Sequence, residues 1–198
     1  SNGNIKSGWP IGQGAIVPIS ASDIDKDGEV ELLEGKYALK ILESDGTESG
    51  YFYPSNLITS LVLLENVDGG SDSEVFFVDT GAPGRTHGLK KNNLSQNFQE
   101  FGIWPQSYGN YASKLAVGDV NGDGIKDIVL GANAAEPAGG TNNGGVAIYF
   151  GKSITNPWCS TTGCENTTID AELFGRNNSD AAGGAVAVGD VNGDGISD

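Results

Sequence analysis

An acidic nonapeptide recurs along the chain and constrains its fold more than any other feature. It reads DVNGDGIKD at 119–127 and DVNGDGISD at 190–198, the two copies differing only at Lys126 and Ser197. A third copy, DIDKDGEVE at 23–31, keeps acid at positions 1, 3, 5 and 9 and glycine at position 6. A fourth, NVDGGSDSE at 66–74, keeps polar oxygen at positions 1 and 3 and acid at 9, but Gly70 replaces the acid at 5. The copies begin at residues 23, 66, 119 and 190. Such uneven intervals describe a constant unit carrying loops of variable length.

Each nonapeptide follows an apolar stretch (AIVPISAS, LITSLVLLE, KLAVG, GAVAVG), and the first three precede another (LLEGKYALKIL, VFFVDT, IVLGA). Strand, acidic turn, strand is the simplest reading, and helical periodicity is almost nowhere visible. Glycine supplies 31 of 198 residues, which suits many short strands joined by tight turns. The expected fold is all-β: β-propeller blades of four-stranded antiparallel sheets in an incomplete ring. A β-sandwich of regular hairpins is the alternative, disfavoured because one turn chemistry returns at the same place in each unit. The segmentation is 1–10 as the end of a preceding blade, 11–57, 58–112 and 113–183 as blades, and 184–198 as the start of another.

Side-chain oxygens at positions 1, 3 and 5, a backbone carbonyl at 7 and a carboxylate at 9 can wrap one hard cation, and glycine at 6 permits the turn this requires. With no His or Cys inside these loops, the donors are all oxygen, which selects calcium over zinc or copper; magnesium comes second. The pattern is not an EF-hand, since β-like runs flank it and no Glu stands at position 12. The bland reading is a set of solvated Asn-Gly and Asp-Gly hairpin turns. A turn needs only two special residues, whereas these loops keep five. Together the four loops hold 14 of the 26 acidic residues, so a bound cation would relieve their repulsion and link folding to metal.

KLAVGDVNGDGIKDIVLGANAAEPAGGTNNGGVAIYFGKS (114–153) resembles an FG-GAP repeat, the unit of integrin alpha-subunit propellers and of VCBS-type repeats in secreted bacterial proteins. GAN at 131–133 stands where the family writes GAP, GGVAIYFG matches its closing strand, and AELFGRNNSDAAGGAVAVGDVNGDGISD (171–198) matches the lead-in to a further unit. SASDIDKDGEVELLEGKYALKILESDGTESGYFYPSN (20–56) is similar to the bacterial version. By position, the resemblance implies calcium ligands at Asp23, Asp25, Asp27, Glu29 (carbonyl) and Glu31; at Asp119, Asn121, Asp123, Ile125 (carbonyl) and Asp127; and at Asp190, Asn192, Asp194, Ile196 (carbonyl) and Asp198. The worn loop offers a thinner set, Asn66, Asp68, Asp72 (carbonyl) and Glu74.

Propellers of this family close with about six to eight blades, so the expectation is a fragment of a longer polypeptide or a ring or filament completed by neighbouring copies through strand or blade donation. The resemblance implies structural calcium loops, with ligands bound by longer loops on the opposite face or rim; the longest insertions are 132–145 and 152–168. The second holds Trp158 and the pair Cys159 and Cys164, whose spacing and Ser/Thr/Gly setting suit a local disulfide, with a buried thiol pair as the alternative. Glycosylation sequons stand at Asn93, Asn166 and Asn177.

A net charge of −15 argues against nucleic acid or an anionic membrane as partner. No apolar run approaches the length of a membrane helix. The lone histidine, His87 in GRTHG beside Arg85, is read as an ordinary loop residue, and no GxSxG or HExxH pattern supports catalysis. The expected function is an extracellular, calcium-stabilised, non-catalytic propeller segment for adhesion, ligand binding or assembly, meeting a protein or carbohydrate at the cell surface. The alternative is the propeller portion of a secreted polysaccharide-degrading enzyme.

Overall fold

The computed structural model describes residues 19–24, 27–54, 56–58, 63–65, 74–79, 85–91, 98–105, 114–135, 142–151 and 168–198. Among the described residues, twelve strands form three four-stranded antiparallel sheets, each built from consecutive strands, and none closes into a barrel. The first sheet holds β1 (Ile19–Ser22), β2 (Glu31–Gly35), β3 (Leu39–Leu42) and β4 (Glu48–Phe52). The second holds β5 (Leu63–Glu65), β6 (Glu74–Val78), β7 (Arg85–Lys91) and β8 (Phe98–Pro105). The third holds β9 (Lys114–Gly118), β10 (Asp127–Ala132), β11 (Gly145–Tyr149) and β12 (Ala171–Phe174).

One register rule ties the sheets to the repeat. In each, the residue before the nonapeptide pairs with its ninth residue: Ser22 with Glu31, Glu65 with Glu74, and Gly118 with Asp127. Gly189 and Asp198 exchange backbone hydrogen bonds at 3.4 and 2.9 Å, forming the same rung at the fourth copy. The worn loop therefore closes its first hairpin in the same register as the others.

From the ninth position the pleat sorts side chains onto two faces. Residues one and three steps on are Leu32 and Glu34, Val75 and Phe77, and Ile128 and Leu130. The residue two steps on is Leu33, Phe76 or Val129. One core gathers Leu33, Leu39 and Ile41 of the first sheet against Val75, Phe77 and Leu89 of the second. The other gathers Phe76 of the second against Ile128, Leu130 and Tyr149 of the third. Even positions thus face the following sheet and odd positions the preceding one.

Because both faces of β6 are covered, its sequence EVFFV is apolar throughout and all five residues are buried. Each of its phenylalanines, at 0% exposure, contributes about 1.5–3 kcal/mol of transfer free energy. The outer face of the third sheet is already met by the segment after β12. A Cβ on Gly131 would lie 2.4 Å from the carbonyl oxygen of Gly183, and one on Gly118 would lie 2.3 Å from a methyl of Val188. Glycine at both positions seats the first residues of a further unit.

His87 lies within β7 and is buried, which corrects its reading as a loop residue; Arg85 to Gly88 of GRTHG belong to the strand. Its ring stacks on Phe77 at 4.8 Å between centroids, and its Nε2 lies 3.2 Å from Asp79 Oδ2. Asn56, beyond β4, donates to the same oxygen at 3.1 Å, so a polar clasp joins the first two sheets. Cys159, Cys164 and Trp158 lie outside the described residues, as do Asp25, Asn66, Asp68 and Asp72.

Candidate metal centre

The acidic loops at 23–31, 119–127 and 190–198 share one set of hydrogen bonds from backbone N–H groups to their own carboxylates. The backbone N–H at position 6 donates to the carboxylate at position 1: Gly28 to Asp23 at 3.1 Å, Gly124 to Asp119 at 2.8 Å, and Gly195 to Asp190 at 2.8 Å. The N–H at position 7 donates to the carboxylate at position 5, in Glu29 to Asp27, Ile125 to Asp123 and Ile196 to Asp194, each at 2.8 Å. The N–H at position 2 donates to the carboxylate at position 9, in Ile24 to Glu31 at 2.7 Å, Val120 to Asp127 at 2.8 Å and Val191 to Asp198 at 3.2 Å. The glycine at position 6 takes a positive φ in all three, 94° at Gly28, 84° at Gly124 and 87° at Gly195, which an L side chain adopts only with strain.

The loops differ at the first carboxylate. Asp119 Oδ1 also accepts from the N–H groups of Gly122 and Asp123, at 2.7 and 3.2 Å, and Asp190 Oδ1 from those of Gly193 and Asp194, at 2.6 and 3.1 Å. The amide oxygens of Asn121 and Asn192 accept from Asp123 and Asp194, at 2.9 and 2.8 Å. Asp23 Oδ1, by contrast, is buried and accepts no hydrogen bond. In that loop one carboxylate oxygen each from Asp23, Asp27 and Glu31 lie within 4.8 Å of one another. Among the described residues this is the one place where three such groups converge so closely.

That convergence fits calcium. Two ligands on opposite sides of a calcium ion, each at 2.3–2.6 Å, are about 5 Å apart, so three carboxylate oxygens inside this span can share one ion. Without a cation these carboxylates would repel one another, and the buried, unbonded Asp23 oxygen would cost free energy. The Ser44 hydroxyl, in the turn between β3 and β4, donates to the Glu29 carboxylate and ties that turn to the loop.

In the third sheet, Asp127 is fully buried. One of its oxygens takes the Val120 N–H and the other the Gly151 N–H at 2.7 Å. Burial pushes its carboxyl above the ordinary range, and those two N–H donors oppose the rise. Asp190 is displaced the other way, held below the ordinary value chiefly by the Gly195 N–H and then by those of Gly193 and Asp194.

The chain leaves β10 at Ala132, at the end of the third sheet away from the acidic loop, and leaves β11 through Gly151, beside Ile125 and bonded to Asp127, at the acidic end. Residues 136–141 and 152–167 of the two long insertions lie outside the described residues.

Three open antiparallel sheets stacked face to face, each closing its first hairpin with the same loop register, define an incomplete set of β-propeller blades. The comparisons agree. Residues 111–149, from just before β9 to the end of β11, match the FG-GAP repeat family, and the chain carries an FG-GAP repeat there. Among curated proteins, the mouse phosphatidylinositol-glycan-specific phospholipase D is similar at 26% identity over 133 residues. That match covers 67% of this chain and only 12% of the mouse protein. No helix among the described residues is long and apolar enough to cross a membrane.

Proposed function

We propose that this chain is a calcium-stabilised β-propeller segment working outside the cell as a ligand-binding or adhesive module. The observation that carries the calcium reading is the convergence of Asp23, Asp27 and Glu31, with Asp23 Oδ1 buried and unbonded. Asp25 and the Glu29 carbonyl complete the set by position. The loops at 119–127 and 190–198 repeat its hydrogen-bonded frame with Asn121 and Asn192 at position 3 and are the second and third calcium sites. Bound calcium supplies a positive charge among oxygens that otherwise repel, and fixes the first hairpin of each blade. Glu74, buried at the ninth position of the worn loop, keeps the anchoring rung there. The extracellular setting follows the usual location of FG-GAP repeats.

A second reading has one specific support, the similarity to a phospholipase. In it the segment is the propeller part of a larger secreted enzyme, contributing binding rather than the reacting groups.

Calorimetric titration of the metal-free chain with calcium, together with melting in calcium and in EGTA, tests the first reading. Uptake at the Asp23 loop and a higher melting temperature in calcium are expected. Extracellular calcium modules bind at roughly 10⁻⁴–10⁻³ M, and a ligand at a hundredfold excess over its Kd stabilises by about 2.7 kcal/mol. No heat and no shift would show that the acidic loops are plain turns.

A further inference from the structure

The acidic loops share a frame but differ in what fills it. In the 23–31 loop, positions 1, 3, 5 and 9 are Asp23, Asp25, Asp27 and Glu31, all acids. In 119–127 and 190–198, position 3 is Asn121 or Asn192, which leaves three acids at those positions. Every residue of the two later loops is described, and in neither do three carboxylates converge within 4.8 Å as they do at Asp23, Asp27 and Glu31.

In the later loops, protein donors stand where a cation would. Asp119 Oδ1 takes the Gly122 and Asp123 N–H groups, and its Oδ2 takes the Gly124 N–H. The Asn121 side chain occupies the remaining groups. Its amide nitrogen donates to Asp123 Oδ2 at 3.0 Å, and its amide oxygen accepts the Asp123 N–H at 2.9 Å. The amide NH₂ thus gives the Asp123 carboxylate the partial positive charge that an ion would otherwise supply. Asp190 Oδ1 likewise takes the Gly193 and Asp194 N–H groups, and the Asn192 amide oxygen accepts the Asp194 N–H. At Asp23 only Oδ2 is served, by the Gly28 N–H, while Oδ1 is buried and accepts no hydrogen bond. A carboxylate oxygen so placed is destabilised until a donor or a cation reaches it.

From this contrast we infer that the loops form a graded set. The 23–31 loop is the high-affinity calcium site, whereas 119–127 and 190–198 close on their own amides and take calcium weakly, with the residue at position 3 setting the difference. Two effects act in the same direction. Affinity in oxygen-lined calcium loops is tuned by the number of ligand carboxylates, by position four against three here. In the later loops, moreover, bonds already made by Asp119 and Asp190 must be broken or shared before an ion is held, whereas Asp23 Oδ1 has none to give up. Site rigidity does not separate the loops, because the N–H donors at positions 2, 6 and 7 recur in all three. Sequence identity pairs 119–127 with 190–198 as the best-matched loops; the geometry ranks the divergent 23–31 loop above both. This ranking rests on the calcium reading and adds to it an order of filling and the residue that sets the order.

Calorimetric titration of the metal-free chain with calcium tests the order, on the parent and on Asp27→Asn, Asp123→Asn and Asn121→Asp. All three side chains are exposed, and melting in EGTA checks that each variant folds. The parent should take up one calcium at least about tenfold more tightly than the rest. Asp27→Asn should remove that tight uptake and Asp123→Asn should spare it. Asn121→Asp, which gives the second loop its fourth carboxylate, should tighten that loop about tenfold. Amide hydrogen exchange of the parent resolves the sites without any variant: at calcium just sufficient for the tight class, Gly28 and Glu29 gain protection before Gly124 and Ile125. Equal affinity at all loops, tight uptake that survives Asp27→Asn, an unchanged Asn121→Asp titration, or protection appearing first at Gly124 and Ile125 would each overturn the ranking while leaving calcium in the loops. No uptake by any loop would remove the calcium reading itself, and the ranking with it.

Discussion

The backbone N–H of Ser197 donates to the carbonyl oxygen of Asp119 at 2.8 Å, joining position 8 of one acidic loop to position 1 of the loop before it. Around this bond the loops interlock. A Cβ on Gly122 would come within 2.9 Å of Ile196, and one on Gly118 within 3.1 Å of Ser197 Oγ. Position 8 is the one place where the two copies differ, Lys126 against Ser197. A short side chain at 197 suits the narrow space beside Gly118. The repeated loop is therefore a contact between units as well as a turn within one.

Substitution at Gly118 tests that contact. Gly118→Ala drives a methyl into Val188, and overpacking of this kind costs about 1–3 kcal/mol when neighbours must shift. Gly189→Ala, the equivalent glycine one unit on, meets nothing within 4 Å. Urea unfolding and limited proteolysis of the 184–198 segment should show Gly118→Ala destabilised and cut faster, and Gly189→Ala close to the parent. Equal behaviour of the two would mean that the segment does not dock on the third sheet.

Adjacent residues of β6 should report on different interfaces. Phe77 packs toward the first sheet and Phe76 toward the third. Each truncation to alanine should cost about 3–5 kcal/mol, the range for emptying a large aromatic site. Hydrogen exchange should then separate them: Phe77→Ala speeds exchange in β2 and β3, Phe76→Ala in β10 and β11. Indistinguishable exchange maps would contradict the alternation of faces.

The acidic loops were legible in the sequence because their chemistry is local: five special residues in nine set the turn and the rung that closes it. The all-β class and the four-stranded units were legible through the apolar runs beside those loops. The facing of each strand was not. EVFFV is apolar at every step, so no alternation reveals that Phe76 and Phe77 serve different cores. His87 was misread because the glycines of GRTHG suggest a loop. Its neighbours Phe77, Asp79 and Asn56 come from β6, the residue after it and the segment beyond β4. Glu34 occupies, in the first sheet, the register position that Phe77 and Leu130 hold in the other two. That signal was available from the repeat alignment, since Glu34 is three residues past position 9 as they are.

Loss of Asp119 should be felt even without metal. Its two oxygens accept from three backbone N–H groups, at Gly122, Asp123 and Gly124. Asp119→Ala removes every one of these bonds, and an unsatisfied donor costs about 1–3 kcal/mol where water cannot replace the acceptor. Asp119→Asn keeps one acceptor oxygen and should recover part of the loss. Chemical unfolding in EGTA should rank parent above Asn above Ala, and calcium should widen the gap between parent and Ala. Asp68→Ala in the worn loop should cost less than Asp119→Ala. A larger effect at Asp68 would count against the ligand assignment.

The pH response of the metal-free chain should carry two opposite contributions. Asp190, lowered by backbone N–H donors, favours the folded loop above its unfolded pKa, and that contribution is lost as pH falls through the folded value. Asp127, raised by burial, favours folding at low pH, and its contribution fades as pH rises from the unfolded to the raised folded value. Carboxyl NMR titration in EGTA should therefore find Asp127 titrating above the ordinary aspartate range and Asp190 below it. Calcium should remove the Asp127 midpoint from the window, because a cation beside the carboxylate favours its charged form. If both residues titrate together at the ordinary value, neither the burial of Asp127 nor the amide cradle around Asp190 persists in solution.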